Sequence, residues 1–215
     1  MRATAILPVK RFGAAKSRLA DSPAAALRPD LAEAMLTDVL TAIAGSRLIE
    51  RVIVVSGEPL ARTAAEAAGA DWLDDPHDRG HSEAAAIGVA AATEAGAACV
   101  ALLPGDCPLL DSAELDAALE RIAPGVAAVV PDRHGSGTNG LLLAPPDAIG
   151  AAFGPGSRER HLELARTAGV AGRVEEIPSL ALDLDTAGDL RELTLALGAE
   201  PERAPATAAV LRDIA

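Results

Sequence analysis

Ala98-Cys-Val-Ala-Leu-Leu103-Pro-Gly-Asp106 is an unbroken apolar run that stops on a turn and a carboxylate. Six apolar residues without alternation are the pattern of a strand covered on both faces, as in the middle of a parallel sheet. The chain before it repeats one theme. Strands are expected at Thr4–Val9, Arg51–Ser56 and Asp71–Leu73, and helices at Pro29–Ala44, Pro59–Ala68 and Ser82–Ala95. Strand and helix in alternation specify βαβ units. After Asp106, Asp111 and Glu114 form a capping-box-like start for a helix over Ser112–Ile122. Val126–Val130 and Thr138–Ala144 then read as strands with only a glycine-rich loop between them, which is a hairpin. A helix over Ser157–Ala168 with Ser157 as its cap follows, then short strands at Val174–Ile177 and Leu180–Leu184 and a helix over Thr186–Leu197. The fold class is α/β: a single three-layer domain over 1–198 with a mostly parallel, mixed central sheet, and 199–215 as a C-terminal tail or peripheral helix.

Composition narrows the function. The 215 residues carry 31 acids and 19 bases, a net charge of −12. That balance opposes general nucleic-acid binding, which draws on many basic contacts to phosphate. Phe12, Trp72 and Phe153 leave almost nothing on which to stack bases. No apolar run approaches the ~18 residues of a membrane span, and Met1–Lys10 is too short in apolar residues for a secretion signal. Cys99 and Cys107 make no zinc or redox spacing. A cytoplasmic protein with no nucleic-acid or membrane partner is expected.

Several motif matches fail in context. Gly135-Ser-Gly-Thr-Asn-Gly140 has the spacing of a dinucleotide fingerprint, but a strand-like run follows it where a helix is required. Gly13-Ala-Ala-Lys16-Ser17 lacks the first glycine of a P-loop. His77 and His81 sit four apart in a loop-like stretch and read as solvated histidines.

Other signals hold. Only two of the 19 basic residues are lysines, Lys10 and Lys16, and both fall in an acid-free segment with Arg2, Arg11 and Arg18. A compact ammonium beside a loop rich in N–H groups, at the end of the first strand, suits a polyphosphate. Asp106 lies just beyond a buried strand, where open α/β sheets bind ligands. Leu182-Asp183-Leu-Asp185-Thr186 puts two aspartates on one face of an extended segment. Asp185 could instead cap the following helix, whereas Asp183 at the end of an apolar run needs a cation nearby. Three carboxylates from two loops suit Mg2+, a hard cation often shared with substrate phosphates. Phe153-Gly-Pro-Gly-Ser157 leads into a helix bearing Arg158, Arg160 and His161, whose N-terminal amides and added charge suit an anion.

Pro8-Val-Lys10 with Lys16-Ser-Arg18-Leu, Pro104-Gly-Asp106, Phe153-Gly-Pro-Gly-Ser157 and Leu184-Asp-Thr186 together resemble one family. It is the phosphoenolpyruvate or 2-phospho-L-lactate guanylyltransferases of coenzyme F420 biosynthesis (the CofC/FbiD family), over residues 4–197. The resemblance implies a nucleotidyltransferase fold of the glycosyltransferase-A-like kind. It implies transfer of GMP from GTP to phosphoenolpyruvate, or to 2-phospho-L-lactate, giving enolpyruvyl-diphospho-5′-guanosine and pyrophosphate. It also implies Mg2+ on Asp106, Asp183 and Asp185, and the acceptor on Thr138, Gly154 and Ser157. Lys10, Lys16 and Arg18 would contact the triphosphate, with Pro8, Gly80 and Ser82 also on the nucleotide; Lys10, Lys16 and Asp106 would be catalytic. A homodimer is implied too. The chain departs from the family at Gly80-His-Ser-Glu83, where Ser82 replaces an asparagine amide that can both donate and accept. Rival readings are a cytidylyltransferase or molybdopterin-type nucleotidyltransferase, and a nucleotide-binding regulatory protein of the same fold. Intact Lys10, Lys16 and the three aspartates favour an enzyme.

Overall fold

The computed structural model describes residues 1–12 and 27–212. Seven strands form one sheet: β1 (Ala3–Pro8), β2 (Ile49–Ser56), β3 (Asp71–Asp74), β4 (Val100–Leu102), β5 (Val126–Pro131), β6 (Thr138–Ala144) and β7 (Ala171–Val174), in the order β3-β2-β1-β4-β6-β5-β7. Only β6 runs against its neighbours, so the sheet is mixed and mostly parallel, as the sequence reading expects. From β1 the chain builds outward to β2 and β3, then returns to place β4 on the other side of β1. That reversal opens a crevice beyond the carboxyl ends of β1 and β4, the place where such sheets take ligands.

Helices α1 (Arg28–Ala44), α2 (Pro59–Ala67) and α4 (Ser112–Glu120) cover one face, and α3 (His81–Glu94) and α5 (Ser157–Ala168) the other. The alanine richness of α3 has a packing cause. A Cβ at Gly88 would lie 2.3 Å from the Ile6 Cγ2, so α3 rides directly on β1 and only small residues fit beneath it. Close seating fixes where α3 begins, and hence where His81 and Ser82 stand. A third apolar cluster joins α1 to α6 (Ala187–Ala199) and α7 (Pro205–Arg212). The buried Asp38 of α1 accepts from the first-turn amides of Ala206 and Thr207 at 3.1 and 2.7 Å, which caps α7 against the body.

Three local expectations are corrected. The strand expected at Val174–Ile177 lies three residues earlier, at Ala171–Val174, where it pairs with β5. Leu180–Leu184 is not a strand: Pro178–Leu180 is a 3₁₀ turn, and the residues after it join no ladder. The capping box at α4 is split. Asp111 accepts from the Ala113 and Glu114 amides, while Glu114 reaches away to the Ser179 amide at 2.8 Å. The Glu114 carboxylate thereby anchors the segment that leads to Asp183.

Candidate active site

A cavity of about 340 Å³ lies where β1, β4 and β5 end and β6 begins. Pro8 and Lys10 reach it from β1, Pro104 and Asp106 from β4, Asp132 from β5, and Thr138 and Asn139 from β6. Phe153, Gly154 and Ser157 close one side, and Asp183 and Asp185 the other.

The carboxylate wall is built by backbone constraints. Leu184 is buried and its amide donates to the Asp106 carbonyl at 3.4 Å, so the two aspartate-bearing loops are tied together. With Leu184 inward, Asp183 and Asp185 fall on its two flanks and both face the cavity. Asp185 does not cap α6. Thr186 does, accepting from Gly188 and Asp189, while the Asp189 carboxylate accepts from the Asp185 and Thr186 amides at 3.0 and 2.6 Å. Arg133 clamps Asp189 from the β5–β6 loop at 2.5 Å. Asn139 holds the other end, donating to the Leu180 carbonyl at 2.8 Å and to the Asp183 carboxylate at 3.3 Å. Burial pushes the Asp183 carboxyl above its usual range, and the neighbouring charges of Asp106 and Asp185 push the same way against the Asn139 bond. Among the described residues no three His, Cys, Asp or Glu side chains gather closely enough to hold a metal ion unaided. An all-oxygen set that converges only loosely still fits Mg2+, which keeps waters and takes one or two carboxylates plus substrate phosphates.

On the opposite side Phe153, Gly154 and Ser157 bring no acid to the cavity. Gly154 and Gly156 have φ of +112° and +70°, a region that side chains rarely adopt, and their turn presents Ser157 as the first residue of α5. Ser157 is therefore not a cap. The amides of Ser157 and Arg158 are bonded to the carbonyls of Gly154 and Ser136, so the hydroxyl rather than those two amides is left for a ligand. Ser157 is 1% exposed, lines the cavity, and its Oγ makes no hydrogen bond among the described residues. His161, expected to add charge, is buried and neutral: burial and then the nearby Arg160 lower its pKa to about 4. Its ring packs edge-on to Phe153 at 5.4 Å.

The sequence matches the family described as guanylyl transferase CofC like over residues 3–203. The chain belongs to this family. A phosphoenolpyruvate guanylyltransferase from Conexibacter woesei is 51% identical over 195 residues, covering 90% of this chain and 87% of that protein. Another from Sphaerobacter thermophilus is 39% identical, covering 90% and 93%. Among solved structures, a cytidylyltransferase from Leptospira borgpetersenii superposes with a TM-score of 0.64 at 15% identity, covering 100% of this chain and 94% of that one. A nucleotidyl transferase from Methanothermobacter thermautotrophicus gives 0.63 at 17%, covering 89% and 95%. The fold is thus the nucleotidyltransferase one, and this CofC-like chain is a guanylyltransferase by family.

Of the residues singled out from sequence, Pro8, Lys10, Asp106, Thr138, Gly154, Ser157, Asp183 and Asp185 line one cavity. Lys16 and Arg18 lie outside the described residues. Gly80 and Ser82 do not line it: Gly80 precedes α3, and the Ser82 hydroxyl accepts from the Phe153 amide at 3.0 Å. His81, read as a loop histidine, opens α3 and does line it, facing Phe153 edge-on. The glycine-rich 135–140 stretch closes the β5–β6 hairpin, as its context requires. Asp132 and Asn139 were not singled out as site residues, and His161 was singled out only as a source of positive charge. Asp132 follows an apolar strand just as Asp106 does, and the same rule would have found it; Asn139 and His161 act through contacts 41 and 23 residues away, which leave no local signal.

Proposed function

We propose that this chain transfers the guanylyl group of GTP to phosphoenolpyruvate, releasing pyrophosphate. The carrying observation is the buried, unpartnered Ser157 hydroxyl, set in the same cavity as Asp106, Asp183 and Asp185. A hydroxyl left without a partner in a buried wall costs stability unless a ligand supplies one. The 51%-identical relative named for this reaction supports the acceptor.

In the proposed reaction a phosphate oxygen of phosphoenolpyruvate attacks the α-phosphorus of GTP. The new P–O bond forms as the bond to the β-phosphate bridging oxygen breaks, and enolpyruvyl-diphospho-5′-guanosine and pyrophosphate result. The nucleophile is already an anion, so no general base is needed, and catalysis is positioning and charge neutralisation. Ser157, Thr138 and the Gly154 turn hold the acceptor. Lys10 meets the triphosphate and stabilises the departing charge, with Lys16 and Arg18 assigned alongside it. Asp106, Asp183 and Asp185 would hold Mg2+, whose chemistry there is to neutralise the facing phosphates. With no helix among the described residues long and apolar enough to cross a membrane, we assign the work to the cytoplasm, and a homodimer on family likeness. The product would enter coenzyme F420 biosynthesis.

Pyrophosphate release in the presence of Mg2+ tests the reading. GTP with phosphoenolpyruvate should give turnover, and CTP or ATP much less. Turnover with 2-phospho-L-lactate alone would replace the acceptor, and release with CTP but not GTP would overturn the nucleotide.

A further inference from the structure

His161 has no step in the reaction proposed above, yet it is wholly buried behind the cavity wall with both ring nitrogens bonded. The Ala152 amide donates to Nε2 at 2.9 Å, so that nitrogen carries a lone pair and no proton. In a neutral ring the proton is then on Nδ1, which faces the Thr138 Oγ1 at 3.0 Å. Thr138 must accept, and its own proton has to point elsewhere. Thr138 lines the cavity beside Ser157. We infer that His161 is a positioning residue which, locked as the Nδ1–H tautomer, occupies one lone pair of the Thr138 hydroxyl and so turns its proton away from the ring and toward the acceptor ligand. Thr138 and Ser157 then form a donor pair.

Such a pair is matched best by a group that only accepts, a fully ionised phosphate or carboxylate, which takes both protons in charge-assisted bonds. The lock resists acid, because burial and the Arg160 charge keep the ring from taking a second proton until about pH 4. Phe153, edge-on to the ring, and the Ser82 bond to the Phe153 amide hold the loop that supplies the Ala152 donor. The inference rests on the acceptor subsite proposed above, and it deepens that reading to the ionisation state of the ligand.

Two variants separate positioning from packing. An asparagine amide overlies the Nδ1 half of the imidazole, so His161→Asn keeps the donor to Thr138. His161→Gln reaches the Nε2 end, keeps a partner for the Ala152 amide and loses the donor. With GTP and phosphoenolpyruvate, His161→Gln should raise the acceptor KM about tenfold with kcat and the GTP KM within about twofold, and His161→Asn should stay within about threefold of wild type. Thr138→Val added to His161→Gln should cost less than twofold more, since the pair acts as one unit. Equal losses in the two histidine variants, or additive losses with Thr138→Val, would overturn the inference. Nitrogen-15 spectra of the wild-type ring need neither a variant nor turnover. They should show Nδ1 protonated and Nε2 bare from pH 8 to 5, and an Nε2-protonated or doubly protonated ring would refute it. Inorganic phosphate, titrated as a non-reacting probe, should lose affinity in His161→Gln and keep it in His161→Asn. That arm also distinguishes failure here from failure of the proposed reaction, in which wild type binds phosphate but releases no pyrophosphate.

Discussion

Asp106, Asp183 and Asp185 on one wall and Thr138, Gly154 and Ser157 on the other face the same cavity, yet they are held in opposite electrostatic states. The first wall concentrates negative charge that burial and mutual repulsion resist, which shows in the raised Asp183 pKa. Thr138, Gly154 and Ser157 themselves bring no charge, the histidine behind them is stripped of its own, and the Ser157 hydroxyl is unbonded among the described residues. An anionic ligand can sit directly on the donor wall. On the carboxylate wall it can sit only through a cation. A site that joins two phosphate compounds gains from this asymmetry, because the two anions are held by different physics and need not compete for one set of donors.

Removing a charge from the acid wall should have the largest effect. Asp183→Asn keeps an oxygen to accept from Asn139 but cannot hold a cation as a carboxylate does. Turnover should fall by at least about 10³-fold, roughly 4 kcal/mol of transition-state stabilisation. Folding should move the other way. Because the native pKa is raised above 3.8, the carboxylate costs stability as pH climbs through that value toward the raised one, and at neutral pH the cost is complete. Metal-free Asp183→Asn should therefore melt at or above the wild-type temperature. Added Mg2+ should raise the Tm of wild type and not of the variant. A variant that melts lower, or still gains from Mg2+, would break the contrast between the walls.

Acid should strike the donor wall. The His161 pKa is depressed from 6.5 to about 4, so as pH falls below 6.5 the unfolded chain gains a proton that the native ring refuses. Stability present above pH 6.5 is lost progressively down to about pH 4, by roughly 3 kcal/mol at most. Asp183 titrates with the opposite sign in the lower part of that window, so the measurement is the difference between wild type and His161→Asn in urea unfolding from pH 7 to 4. The wild type should fall more steeply, and parallel curves would mean that the ring is not held neutral.

How much of this asymmetry the chain announces locally differs between the walls. Asp106 was legible because a carboxylate after an unbroken apolar strand sits where the sheet opens. Asp183 and Asp185 were legible by their spacing around Leu184, although the segment is not a strand: its amides go to Asp106 and Asp189 rather than to a neighbouring ladder. On the other wall, Phe153-Gly-Pro-Gly-Ser157 does line the cavity, but the helix-start amides read from it are already bonded within the protein. Whether the Arg158 amide is free depends on Ser136, 22 residues upstream in the hairpin loop, and no local pattern carries that contact. The neutrality of His161 likewise follows from tertiary burial, which a helix beginning with three charged neighbours gives no hint of.

Ser157→Ala tests the donor wall without touching its fold. The hydroxyl has no partner among the described residues, so its loss should leave the Tm within about a degree or raise it. A hydrogen bond to a charged group is worth about 1.5–3 kcal/mol, so the phosphoenolpyruvate KM should rise roughly 10- to 100-fold while the GTP KM holds. An unchanged acceptor KM would remove Ser157 from the subsite.

The smallest effect decides which side Ser82 serves. The family resemblance implies the nucleotide, but the Ser82 hydroxyl accepts from the Phe153 amide, beside Gly154. Ser82→Ala strips that amide of its partner, and the serine is only half-buried, so water can step in. A cost of about 0.5–1 kcal/mol follows, roughly two- to fivefold. Because the Phe153 amide sits next to the Ala152 donor that locks His161, this cost should fall on the phosphoenolpyruvate KM and leave both the GTP KM and the preference for GTP over CTP unchanged. A shift in base preference with the acceptor KM intact would return Ser82 to the nucleotide and leave the acceptor loop to be held by Phe153 packing between His81 and His161 alone.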